Sequence, residues 1–131
     1  MLKKSSNLRS KKHPISETQA NTLARMIDDK NGEEIVIFDL RDLSPIADYF
    51  VIANGLSEIH LRTIADHLME YEKPDHVEGL AASSWVLLDF IDVIVHLFLK
   101  ETREFYGLER LWGDAPIVKL KKWLERNLKR Y

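Results

Sequence analysis

Trp85-Val86-Leu87-Leu88-Asp89-Phe90-Ile91-Asp92-Val93-Ile94-Val95-His96-Leu97-Phe98 holds two apolar runs on either side of a three-residue break. Trp85 to Asp89 and Val93 to Leu99 read as strands, and Phe90-Ile91-Asp92 as the turn of a hairpin between them. Side chains alternate along a strand. Trp85 and Leu87 therefore share one face, and Val86 and Leu88 the other. One pair must lie in the core. The other is covered by a partner or by a helix of the same chain.

Upstream, Ile35 to Phe38 and Tyr49 to Ala53 are two more short apolar runs rich in β-branched residues, separated by Leu43-Ser44-Pro45. Asn54-Gly55 reads as a turn that ends the second run. Ser57 then caps a helix with Leu61, Ile64, Ala65 and Leu68 on one face, stopping before Pro74. His76 to Gly79 suits a short edge strand. Nearer the start, Ser16-Glu17-Thr18-Gln19 matches a capping box ahead of Ala20, Leu23, Ala24 and Ile27 at helical spacing, with Gly32 at the stop. Downstream, Thr102 is placed to cap a short helix through Tyr106, which Gly107 breaks. Pro116 suits the first turn of a last helix with Ile117, Leu120, Leu124 and Leu128 along one side. Strands mixed with helices predict a single α/β domain, a mixed β-sheet flanked by helices. Strand order is not legible.

The chain has 131 residues, no cysteine and a net charge of −2 that hides a strong segregation. Residues 1–13 carry five cations and no acid and read as a flexible basic arm. Residues 117–131 carry six cations against Glu125 and read as a basic C-terminal helix. Between them, 14–116 holds eight Lys and Arg against twenty Asp and Glu. An acidic body between basic ends suits a basic protein and a polyanion together. No apolar run reaches the roughly 18 residues that span a bilayer. The start has no secretory pattern, and zero cysteines fit a cytoplasmic protein. A short basic, acid-free start also fits a trimmed organellar transit segment.

Chemistry finds little support. His60 and His67 are seven apart, about two helical turns, too far for one ion. His96 sits among apolar neighbours and reads as structural or interfacial. His76 lies near Asp75 and Glu78 and reads as solvated. Gly55-Leu56-Ser57 lacks the final glycine of a nucleophile elbow, so Ser57 reads as a helix cap. Nucleotidyl transfer wants two carboxylates two residues apart on a strand, to hold two metal ions. Asp39 and Asp42 are three apart, as are Asp89 and Asp92. No metal or cofactor is expected. A nucleic-acid surface would set its aromatics beside Lys and Arg. Here Trp85, Tyr106 and Trp112 lie among Asp89, Asp92, Glu104, Glu109 and Asp114, which repel phosphate. A protein-docking surface remains, against the plain alternative that the large residues are core.

Several motifs carry a resemblance. They are Asp39-Leu40-Arg41-Asp42-Leu43-Ser44, Ala47-Asp48-Tyr49-Phe50-Val51-Ile52-Ala53, Ile64-Ala65-Asp66, Glu78-Gly79, Trp85-Val86-Leu87-Leu88-Asp89, Asp92 to Phe98 and Arg103 to Ala115. In this order and spacing, over about residues 16 to 115, the chain resembles the ribosomal silencing factor (Iojap) family. The resemblance implies a nucleotidyltransferase-like fold without catalytic carboxylates, and no enzyme. It implies a protein, commonly a homodimer, that binds the fourteenth protein of the large ribosomal subunit. There it blocks joining of the small subunit, represses translation in starvation and assists late large-subunit assembly. The chain departs from the family where Phe90-Ile91 replaces a usual Tyr-Gly, predicting a different turn because Ile disfavours positive φ. Asn54-Gly55-Leu56-Ser57 replaces a usual Ser-Gly-Asn-Ser. The basic ends lie outside the motifs.

The expectation is steric inhibition of subunit joining. Trp85, Leu87, Tyr106, Leu108, Glu109 and Trp112 form the expected docking set, with Asp89, Asp92, Arg103 and Glu104 around it. The basic ends are candidates for peripheral rRNA contacts. The rival classes are a nucleotidyltransferase-type enzyme and a free RNA-binding protein.

Overall fold

A computed structural model of the chain describes residues 14–118. The elements are α1 (Pro14–Asp29), β1 (Glu33–Asp39), β2 (Tyr49–Gly55), α2 (Glu58–Tyr71), β3 (His76–Glu78), β4 (Trp85–Asp89), β5 (Val93–Leu99), α3 (Lys100–Tyr106) and α4 (Leu108–Leu111). The strands form one mixed sheet in the order β1-β2-β5-β4-β3. β1 is antiparallel to β2, and β4 is antiparallel to both β5 and β3. β2 and β5, the central pair, are parallel, from Tyr49↔Val93 to Gly55↔Leu99. A parallel pair covered on both faces reads as a continuous apolar run rather than an alternating one.

Both long helices pack on the same side of the sheet. Ala20, Leu23, Ala24 and Ile27 of α1 and Leu61, Ile64, Ala65 and Leu68 of α2 meet Ile37, Tyr49, Val51, Val86, Leu88, Val93, Val95 and Leu97. A second apolar cluster lies on the opposite side. There Phe38, Phe50, Ile52, Ile94 and Phe98 carry the half-buried Trp85, Leu87, Leu108 and Trp112. The alternation read in Trp85-Val86-Leu87-Leu88 therefore holds, with Val86 and Leu88 in the helix-covered core.

Several local readings hold. Ser57 Oγ accepts from the His60 N–H at 3.0 Å and caps α2. α1 ends as a Schellman motif: Asn31 takes φ 64, its N–H donates to the Asp28 carbonyl, and the Gly32 N–H donates to that of Ile27 at 2.9 Å. A Cβ on Gly32 would fall 2.2 Å from Ile27 Cγ2, so glycine is needed there.

Other readings need correction. Ser16 is buried as the third residue of α1, so the helix begins ahead of the expected capping box. Thr102 lies inside α3, which begins at Lys100 after an N-cap at Leu99. Asn54 and Gly55 belong to β2, because pairing to β5 continues through them. Ile91 keeps the left-handed backbone, φ 75, that a Tyr-Gly turn would use. The Asp92 N–H donates to the Phe90 carbonyl at 3.0 Å, closing a γ-turn around it. Ile117 and Val118 do not start a helix. They lie extended on β1, where Asp39 N–H donates to the Pro116 carbonyl and Val118 N–H to that of Ile37, at 2.8 and 3.0 Å. The basic arm, 1–13, and the rest of the expected C-terminal helix, 119–131, lie outside the described residues.

Candidate protein-docking face

The sheet face turned away from α1 and α2 is where the aromatic residues collect. Trp85 of β4 lies 4.8 Å from Phe98 and 4.7 Å from Tyr106, ring centre to centre. Phe50 of β2 meets His96 at 4.6 Å and Trp112 at 5.9 Å, both edge to face. Short α3 and α4 and the segment after them cover this face in part. Trp85, Leu87, Leu108 and Trp112 stay half-buried, and Tyr106 is 52% exposed. Antiparallel partners share a face. Glu78 pairs with Leu87, and His76 with Asp89, so the β3 margin carries the acids Glu78 and Asp89.

His96 is buried in this layer, and the Trp85 Nε1–H donates to its Nδ1 at 3.2 Å. That bond places the remaining proton of the neutral ring on Nε2. Burial pushes the imidazole down to about 4, so it is neutral near pH 7. Nε2 is buried with no hydrogen-bond partner among the described residues. The reading of His96 as structural or interfacial fits this setting.

The ten expected site residues divide into groups. Trp85, Leu87, Tyr106, Leu108 and Trp112 come together around the second cluster. Asp89 stands at the strand margin, where its Oδ1 accepts from the Ile91 N–H at 2.7 Å. Asp92 lies in the turn itself, and its carbonyl receives the Asp48 N–H at 2.8 Å. Glu104 is exposed on α3. Arg103 is different: it is 8% exposed and engaged inside the fold. Its Nε and Nη2 donate to the two carboxylate oxygens of Glu109 at 2.7 and 3.1 Å. Its Nη1 donates to the Glu34 carbonyl and to Asn54 Oδ1, both at 2.8 Å. Arg103 and Glu109 thus serve first to hold the α3–α4 corner.

Phe50, Ile94 and Glu78 also line this face, and sequence reasoning did not select them. The signal that finds them is cross-strand register, which a single sequence does not carry. Phe105 and Leu111, 78% and 73% exposed, add apolar surface on the outside of the corner.

The residues tested for chemistry are committed elsewhere. Arg41 donates to both Asp39 oxygens, Nε at 3.0 Å and Nη2 at 2.7 Å. Burial opposes ionisation of Asp39, but the hydrogen bonds and charge of Arg41 outweigh it and hold the carboxyl below its usual range. His60 accepts from the Leu56 N–H at Nδ1, 2.8 Å, and Nε2 lies 2.7 Å from the Lys30 carbonyl. Among the described residues, no group of three His, Asp or Glu is placed to hold a metal ion. Among them, too, no helix is long and apolar enough to cross a membrane.

A mixed sheet with two helices on one face, and a half-covered aromatic layer with acids at its margin on the other, defines a single α/β domain. The family model described as "ribosomal silencing factor during starvation" matches residues 13–130, and the chain belongs to that family. The match extends past the motifs at both ends and takes in most of the basic C-terminal segment. The chain is 41% identical over 99 residues to the ribosomal silencing factor of Halalkalibacterium halodurans, covering 72% of this chain and 85% of that protein. It is 39% identical over 102 residues to that of Bacillus subtilis, covering 74% and 86%. It is 33% identical over 108 residues to the mouse protein named for mitochondrial assembly of the ribosomal large subunit, covering 76% of this chain and 47% of the mouse protein. Among solved structures, a Bacillus halodurans protein superposes with a TM-score of 0.65 at 34% identity, covering 79% of this chain and 96% of that one.

Proposed function

We propose that this protein represses translation by binding the large ribosomal subunit through its fourteenth protein and standing where the small subunit must join. The observation that carries this reading is the half-covered layer of Trp85, Leu87, Tyr106, Leu108 and Trp112, beside the acids Glu78 and Asp89. Large aromatic residues in a small cluster supply most of the energy in protein interfaces. Ribosomal proteins are generally basic. An acidic body therefore gains encounter rate and register, while the rings supply affinity. No bond need be made or broken. Repression follows from occupied space. The same contact fits a protective role late in large-subunit assembly. We place the protein in the cytoplasm, as a homodimer when free, with the two basic ends touching nearby rRNA.

Sedimentation with separated subunits tests the proposal. The expected result is co-migration with large subunits, none with small subunits, and loss of the joined peak when the protein is added before mixing. Unimpaired joining in the presence of bound protein would sink the steric reading. Tight binding to naked rRNA without ribosomal protein would favour a plain RNA binder. Metal-dependent nucleotide turnover lost in Asp39→Asn or Asp89→Asn would favour an enzyme.

A further inference from the structure

We propose that Asn54 and Glu34 are positioning residues for docking: acting through Arg103 and Glu109, they fix the pose of the corner that carries Tyr106, Leu108 and Trp112. This rests on the docking reading above and assigns it two residues that lie in β1 and β2, outside the docking set.

The corner cannot hold its own shape. α3 has seven residues and α4 has four, and isolated helices below about 12 residues are marginal in water. Among the described residues, no side chain caps either N-terminus. The two helices meet at Gly107, which takes φ 55 and allows a wide range of angles. The angle must be set from elsewhere.

Arg103 supplies the restraint. Its planar guanidinium holds both carboxylate oxygens of Glu109, two residues past the hinge, and ties it to β1 and β2 through Nη1. A fork of fixed donors sets direction as well as distance, which a lysine ammonium does not. The receiving end is built for it. Glu34 takes φ 48 at the register shift between Glu33 and Val36, a backbone region costly for a residue with a Cβ. There its carbonyl meets Arg103, while its carboxylate oxygen Oε2 accepts from Asn54 Nδ2 at 2.7 Å. Asn54 Oδ1 then accepts from Arg103. The three residues close a ring of hydrogen bonds in which each orients the next.

The test is Asn54→Leu in the full chain, of similar volume but with neither bond. Hydrogen exchange is read at the Gly107, Arg110 and Trp112 amides and along the β4–β5 pair. Affinity is measured on salt-washed large subunits. The expected result is exchange at the corner at least tenfold faster, β4–β5 unchanged, and at least tenfold weaker binding. Unchanged exchange at the corner overturns the proposal. So does faster exchange throughout the sheet, which would mean a general stabilising role, and so does a faster corner with affinity within twofold of the parent. Should Asn54→Leu not fold, Glu34→Ala, which removes the acceptor of the Asn54 amide at an exposed position outside the docking set, carries the same two readouts. If the parent protein itself fails to bind large subunits, the docking reading falls, and the exchange data still decide whether the ring positions the corner.

Discussion

Trp112 and His96 show how single side chains divide between fold and partner. Trp112 is half-buried, edge-on to Phe50, and open on its outer side. Truncating such an anchor typically costs on the order of 2 kcal/mol of binding or more. Trp112→Ala should therefore weaken large-subunit binding by at least tenfold while the far-ultraviolet spectrum stays that of a folded domain. A folded variant binding at full strength would remove Trp112 from the interface. His96 is buried and titrates near 4, against about 6.5 in an unfolded chain. Between these values the unfolded state takes up a proton that the folded state refuses, so stability falls as pH drops from about 6.5 toward 4. The slope is at most about 1.4 kcal/mol per pH unit, and the total is on the order of 3 kcal/mol. His96→Asn keeps an acceptor for the Trp85 N–H and cannot titrate. Melting temperature against pH should flatten over that window in the variant. Equal slopes in the two proteins would show that burial does not govern this imidazole.

The β4–β5 turn is where an element departs from what its residues prefer. Ile91 is β-branched, 57% exposed, and held at φ 75. The Asp89 carboxylate accepts its N–H and the surrounding γ-turn closes over it, so strand register overrides its preference. Ile91→Gly should release strain of roughly 1–2 kcal/mol, offset by about 0.5–1 kcal/mol of chain entropy. The net is a rise of about 2–4 °C in a thermal melt; a fall would show that the Ile91 side chain packs usefully on the turn. The hairpin, the α2 cap and the alternation in β4 were legible because each is written within a few residues. The order of the strands was not, since β2 and β5 are apolar on both faces and carry no period. Asn54-Gly55 read as a turn because its pairing partners, Phe98 and Leu99, are remote in sequence. Arg103 read as part of a charged rim, and Glu109 as a docking residue, for the same reason: Asn54 and Glu34, which complete the clamp, lie 49 and 69 residues from Arg103. The aromatic cluster was legible in composition, and Asp89 beside it in the hairpin motif; Glu78 joined them only after register placed it next to Leu87.

At the scale of the whole molecule, charge separates what the rings cannot. The body, 14–116, has twenty acids against eight cations, yet residues 1–13 hold five cations and no acid. One surface cannot serve both a basic protein and an RNA backbone. Distinct segments, one acidic and one basic, can serve both where the two stand side by side, as they do on a ribosomal subunit. The two contacts differ in their response to salt. Each phosphate neutralised by a cation releases condensed counterions and steepens the fall of affinity with salt, by up to about one unit of slope on logarithmic axes. Aromatic burial adds almost nothing to that slope. Deleting 1–13 should therefore weaken large-subunit binding at low salt and lower the slope by a few units. The affinities of the parent and truncated proteins should converge as salt rises. Trp112→Ala should lower affinity by a similar factor at every salt concentration and leave the slope where it was. A truncation that leaves the slope unchanged would mean that the arm does not reach RNA, and that the acidic face and its aromatic layer carry recognition without it.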